Sequence, residues 1–164
     1  MEGKQSQTPA SYRDTSQDKR SLLILHINEN TDDQVLFQAA AKHAEVPVEW
    51  HVAESAQRGV SYLESLINLS REHEPRWVDL VLLELVLPDD NGLAVLKHVR
   101  GTPELRHLPV VILTGHENPS THKEAYELGA NAVHLKPAKF EDSVQLVRML
   151  YTHWNSAVLP TRQK

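Results

Sequence analysis

The chain contains no cysteine, which removes disulfide frameworks, thiolate metal sites, iron–sulfur ligation and a cysteine nucleophile from consideration. Basic side chains are few. The 17 Lys and Arg against 22 Asp and Glu leave a net charge of −5, the wrong sign for a nucleic-acid module with its concentrated basic face. No long apolar run is present either. The longest, residues 78–87, is interrupted by Asp79 and Glu84 and falls well short of the roughly 20 residues that span a bilayer. Residues 1–20 lack the apolar segment of a secretory signal. The six glycines form neither GxGxxG nor a P-loop, so no phosphate cradle is visible. Ten histidines are present, none in HxxxH or HExxH spacing, which gives no metal motif. His26, inside an apolar run, reads as a packed core histidine. The expectation is a soluble, cytoplasmic, single-domain protein of 164 residues, with neither nucleic acid nor membrane as partner.

Residues 1–20 offer only Met1, Ala10 and Tyr12 as apolar side chains, too little to offset ordering entropy, so a flexible N-terminal tail is expected. The folded part is expected over 21–155, with a C-terminal tail at 156–164. Within it, short apolar runs alternate with longer amphipathic ones. Runs at 22–27, 48–52, 78–84, 109–114 and 132–136 read as strands. Helices are expected over 32–44 (capped by Asn30 or Thr31), 55–72, 93–100, 120–128 and 140–154. Strands alternating with helices imply an α/β fold, a doubly wound parallel sheet joined by right-handed crossovers. In such sheets the binding crevice lies beyond the carboxyl ends of the strands.

Those ends carry Asn28-Glu29-Asn30, Glu84, Thr114 and Lys136. A carboxylate ending a strand as apolar as 80–83 is buried and needs a partner. Lys136 alone reads as an ordinary ion-pairing lysine, and Thr114 alone says nothing. Their joint placement at one edge of the sheet makes them a candidate site.

These residues resemble the receiver domain of two-component response regulators. The resemblance is carried by the strand leading into Asn28-Glu29-Asn30, by Glu84-Leu85-Val86-Leu87-Pro88-Asp89-Asp90-Asn91-Gly92, by Leu113-Thr114-Gly115, and by Gly129-Ala130-Asn131 leading to Lys136-Pro137. It implies a (βα)₅ flavodoxin-like sheet of order 2-1-3-4-5. It also implies a phospho-acceptor position at Glu84 and phosphoryl-oxygen contacts from Thr114 and Lys136. A Mg²⁺ pocket would be made by Asn28, Glu29, Glu84 and the carbonyl of Val86, and a cis peptide would precede Pro137. The family is non-enzymatic in its output, and the implied partner is a histidine kinase or another signalling protein.

The departures from the family pattern are chemical. Glu84 stands where the acceptor aspartate is usual, one methylene longer, and in-line phosphoryl transfer is sensitive to ångström displacements. Asn28 removes one of the two usual pocket carboxylates, so Mg²⁺, which demands near-octahedral oxygen ligands, is expected to bind weakly and to be unnecessary. Val133 occupies the switch position where the family usually has Tyr or Phe. The reading is therefore a pseudo-receiver that works by protein–protein interaction, with Glu84 as a built-in mimic of the phosphorylated state. A weak but genuine phospho-acceptor and a flavodoxin-like small-molecule-binding domain stand as the alternatives. The last helix carries Phe140, Val147, Tyr151 and Trp154 on a wide apolar face, which predicts a homodimer through the fourth-helix, fifth-strand and fifth-helix surface. Only ten residues follow Trp154, so no output domain is expected. Trp154 and Val158-Leu159-Pro160 resemble the tail of stand-alone receivers that pair with phytochrome-like or other hybrid histidine kinases.

Overall fold

A strand buried on both faces reads as a continuous apolar run whose side chains are dealt alternately to two cores, and the computed structural model shows this partition. It describes residues 20–158. The elements are β1 (Leu22–Ile27), α1 (Thr31–His43), β2 (Val48–Ala53), α2 (Ala56–Leu69), β3 (Leu80–Leu83), α3 (Gly92–Gly101), β4 (Val110–Thr114), α4 (Pro119–Glu127), β5 (Ala132–Leu135) and α5 (Phe140–Ser156). Leu23, Leu25, Ile27, Val81, Leu83 and Ile112 face one core, closed by Leu63 and Leu66 of α2, Leu96 and Val99 of α3 and Ala125 of α4. Leu22, Ile24, Leu80, Leu82, Val111 and Leu113 face the other, closed by Phe37, Ala40 and Ala41 of α1 and by Val144, Val147 and Leu150 of α5.

All four strand pairings are parallel, in the order β2-β1-β3-β4-β5. The chain steps from β1 outward to β2, then returns to place β3 on the other side of β1. The crevice at this reversal lies beyond Ile27 and Leu83.

Helix starts follow side-chain chemistry. Asn30, Ser55, Asn91 and Asn118 each accept a backbone N–H at the first turns of α1, α2, α3 and α4. Asp89 adds a cap from outside: its carboxylate accepts the Ala56 and Gln57 N–H groups, both at 2.9 Å, fastening the loop after β3 onto α2. Gly92 fixes the same loop from below, because a Cβ there would lie 2.2 Å from the Glu84 carbonyl oxygen.

Two charged clamps hold the amino-terminal end of the sheet. Buried Asp79 accepts the Leu23 N–H at 2.8 Å and pairs with Arg20 and Arg76, so the burial of its charge is compensated. Arg20 also accepts, through its carbonyl, a hydrogen bond from the Tyr151 hydroxyl. Arg20, within the expected N-terminal tail, is thus tied to the folded part; residues 1–19 of that tail and residues 159–164 lie outside the described residues. Arg100 donates to the carbonyls of Gly129, Arg106 and Leu108 and to Asn131 Oδ1, and Asn131 Oδ1 accepts the Val110 N–H as well.

Two expectations are corrected here. Val147 and Tyr151 are buried in the core between α5, α1 and the sheet, Trp154 is half-buried against it, and Phe140 alone is exposed, edge-on to His43. The face of α5 is wide because α1 covers one side of it and the sheet the other, so these residues are not free as interface anchors. The large exposed apolar side chains of α4, β5 and α5 are instead Tyr126, Leu135, Phe140 and Met149. No peptide among the described residues is cis; Lys136–Pro137 is trans, the lower-energy isomer of an X-Pro bond, and Lys136 still reaches the crevice.

His26 is buried, edge-on to Phe37 and tilted against Trp50, and its Nδ1 has no hydrogen-bond partner. Burial lowers its pKa from 6.5 to about 4, against the pull of Asp33 and Glu84 and with the push of Lys136.

Two outcomes are expected. Replacing Arg100 with Met removes the donor to the part-buried Gly129 and Leu108 carbonyls and should cost about 2 kcal/mol in urea unfolding. The native state resists protonating His26 whereas the unfolded chain does not, so its contribution is complete above pH 6.5 and is lost as the pH falls to about 4. Integrated, this amounts to about 3 kcal/mol. Half-buried His51 and His134 act in the same direction, so the difference between wild type and His26→Phe, measured by denaturant unfolding at pH 7 and 4.5, isolates the His26 share. An unchanged acid limb in the variant would refute it.

Candidate functional site

Two backbone bonds set the floor of the crevice: Asn28 N–H donates to Ala53 O and Glu84 N–H to Ile27 O, both at 3.0 Å. They place the first residues past β1 and β3 side by side. A third, Lys136 N–H to Thr114 O at 2.9 Å, puts the first residue past β5 at the same level. Fold and register alone thus converge Asn28, Glu84 and Lys136, and all three line a cleft of about 200 Å³ together with Glu29, Val86 and His116.

The side chains then form one connected chain of bonds. Asn28 Oδ1 accepts the Asn30 N–H at 2.8 Å and Asn28 Nδ2 donates to Asp33 Oδ2 at 3.0 Å. Lys136 Nζ lies 2.6 Å from the same Asp33 oxygen and 2.6 Å from Glu84 Oε2. Glu84 Oε1 accepts the Leu85 N–H at 2.7 Å and the Val86 N–H at 3.3 Å. Burial opposes the charge on Lys136, but its bonds to Asp33 and Glu84 outweigh that and hold its pKa above the ordinary 10.5. Burial likewise opposes the Asp33 carboxylate, and the bonds from Lys136 and Asn28 outweigh it and hold its pKa below 3.8. One ammonium therefore serves two carboxylates.

Of the expected site residues, Asn28, Glu84 and Lys136 are brought together, and Glu29 and Val86 stand at the exposed mouth. Thr114 is at the right strand end but fully buried; its Oγ1 accepts the His116 N–H at 3.2 Å, and Glu84 bonds to Lys136. Val133 is half-buried against the α2–α3 core, and its N–H donates to the Tyr126 hydroxyl at 3.0 Å. Asp33 was not expected. In the sequence it is one of two acids in the first turn of α1, where a carboxylate already suits the helix dipole. The turn of about 100° per residue sends Asp32 to solvent and Asp33 into the crevice. The crevice position of the first turn of α1 was the signal available.

The donor set does not suit Mg²⁺ as it stands. Asn28 Oδ1 and both Glu84 oxygens already accept hydrogen bonds, and among the described residues no three His, Asp or Glu side chains are grouped to hold a metal ion. An octahedral ion requires several such oxygens at about 2.0–2.1 Å.

Comparison with known proteins agrees with this geometry. Residues 31–148 match the response regulator receiver domain. The chain is 27% identical over 136 residues to response regulator Rcp1 of Synechocystis, covering 83% of this chain and 90% of that protein. Its structure is similar to that of the phosphorylated cyanobacterial phytochrome response regulator RcpA, with a TM-score of 0.74, 29% identity, and coverage of 87% of this chain and 100% of that one. It is also similar to a response regulator in red light signaling of R. palustris, with a TM-score of 0.75, 26% identity, and coverage of 85% and 99%. A further match, 36% identical over 77 residues to a probable cyclic di-GMP phosphodiesterase of Vibrio cholerae, spans only 17% of that protein. The order of the sheet, the residues at its carboxyl edge and these similarities agree that the chain belongs to the family of response regulator receiver domains.

Proposed function

We propose that this receiver takes part in two-component signalling through protein contacts and without being phosphorylated. The observation that carries this reading is the pairing of Glu84 Oε2 with Lys136 Nζ at 2.6 Å. A phospho-acceptor needs a free carboxylate oxygen in line with the incoming phosphorus, with cations left over to neutralise the transferring group. Here the oxygen and the cation are spent on each other. The extra methylene of Glu84 carries its carboxylate to the ammonium that a phosphoryl oxygen would otherwise meet, so it stands in for that group with one negative charge instead of nearly two.

The bonding of Asn28 and Glu84 supports independence from Mg²⁺. A small-molecule role is less well supported, because the cleft of about 200 Å³ is below the usual range of ligand pockets and is lined by charged groups. The partner is a histidine kinase or another signalling protein, and the similarity to phytochrome response regulators along nearly their whole length favours a photoreceptor-type kinase pathway. For self-association through α4, β5 and α5, Tyr126, Leu135 and Met149 supply the exposed apolar surface.

Incubation with acetyl phosphate and excess Mg²⁺, followed by intact-mass measurement, is expected to leave the protein unmodified. A stoichiometric gain of one phosphoryl group would overturn the reading. Calorimetric titration with Mg²⁺ is expected to show no saturable heat below about millimolar concentration, since the pocket offers too few free oxygens.

A further inference from the structure

We propose that Asp33 is a positioning residue: it latches the Lys136 ammonium to the first turn of α1. This rests on the phosphorylation-independent reading above and adds to it, because Glu84 alone leaves Lys136 free to swing toward an incoming anion. Lys136 is anchored on both sides instead. Glu84 Oε2 holds it from β3, and Asp33 Oδ2, 103 residues away in the chain, holds it from α1 at the same 2.6 Å.

The rest of the local structure is built around that second contact. Asn28 Nδ2 donates to the very oxygen that Lys136 uses, at 3.0 Å, a bond that an aspartate at position 28 is unable to make. Gln34 Nε2 donates to the Asn28 carbonyl at 2.7 Å, and Asn30 ties to Asn28 Oδ1 and to the Asp33 N–H. Asn28 is therefore the amide that aims Asp33. Because Lys136 begins the connection from β5 to α5, the latch joins that connection directly to α1 and fixes one arrangement of the two.

Asp32 provides the control. It shares the first turn of α1, the charge and the dipole environment of Asp33, but it is exposed and lies outside the network. In ¹H–¹⁵N spectra, Asp33→Asn is expected to shift Lys136 and the 136–140 segment, whereas Asp32→Asn leaves them in place. In a Glu84→Asp background with acetyl phosphate and Mg²⁺, adding Asp33→Asn is expected to raise the rate of phosphoryl incorporation at least about tenfold, by returning the ammonium to the acceptor; adding Asp32→Asn is not. Spectra in which the two asparagine variants affect Lys136 alike overturn the latch, as do rates in the two double variants within twofold of each other. Either result leaves the Glu84 reading standing. Phosphoryl gain by the unaltered protein would instead overturn that reading and leave the latch to be judged by the spectra.

Discussion

A single ammonium shared between two carboxylates organises this molecule. Moving charges out of water costs several kcal/mol per ion, and the cost is offset only when the geometry is close and every remaining lone pair is satisfied. The Lys136 site meets that condition through backbone as much as side chains: the N–H groups of Leu85 and Val86 complete Glu84, and the Asn28 amide completes Asp33. The demand propagates outward. The loop carrying Leu85 and Val86 has to lie close against α3, which Gly92 permits, and has to stay at the top of α2, which Asp89 enforces. A partly completed network of this kind is worse than an apolar one, and Asn28, Asp33 and Glu84 each have a bonded partner within it.

The centre of the sheet was legible in the sequence because β1, β3 and β4 are buried on both faces and announce themselves as apolar runs. The strand ends were legible too, since register brings Asn28, Glu84 and Lys136 level with one another. What was not legible had competing local explanations. Asp33 already had a role as a helix first-turn acid, and nothing in a linear reading says which of two adjacent acids faces inward. The apolar width of α5 suggested an interface, but a helix wedged between a sheet and a neighbouring helix buries more than one stripe, and Val147 and Tyr151 are spent inside. Thr114 sits at the expected position with its hydroxyl engaged by the next turn of the chain, an orientation that residue type does not encode.

The family's architecture and this protein's chemistry therefore separate cleanly. The order of strands, the crevice and the lysine at its rim are shared with receivers generally. In the crevice of this chain the Lys136 ammonium is bonded to two carboxylates, Asp33 and Glu84. Outside the crevice lie the outer surfaces of the sheet and helices.

Those surfaces include a sheet edge with one of its donors taken. β5 ends the sheet, and an outer strand with free N–H groups is a template on which any extended chain can pair. The Tyr126 hydroxyl, reaching from α4 to the Val133 N–H at 3.0 Å, occupies one of those donors, and the strand is only four residues long. Adding a strand there would have to displace the tyrosine first. The β5 edge thereby offers an incoming strand one backbone donor fewer.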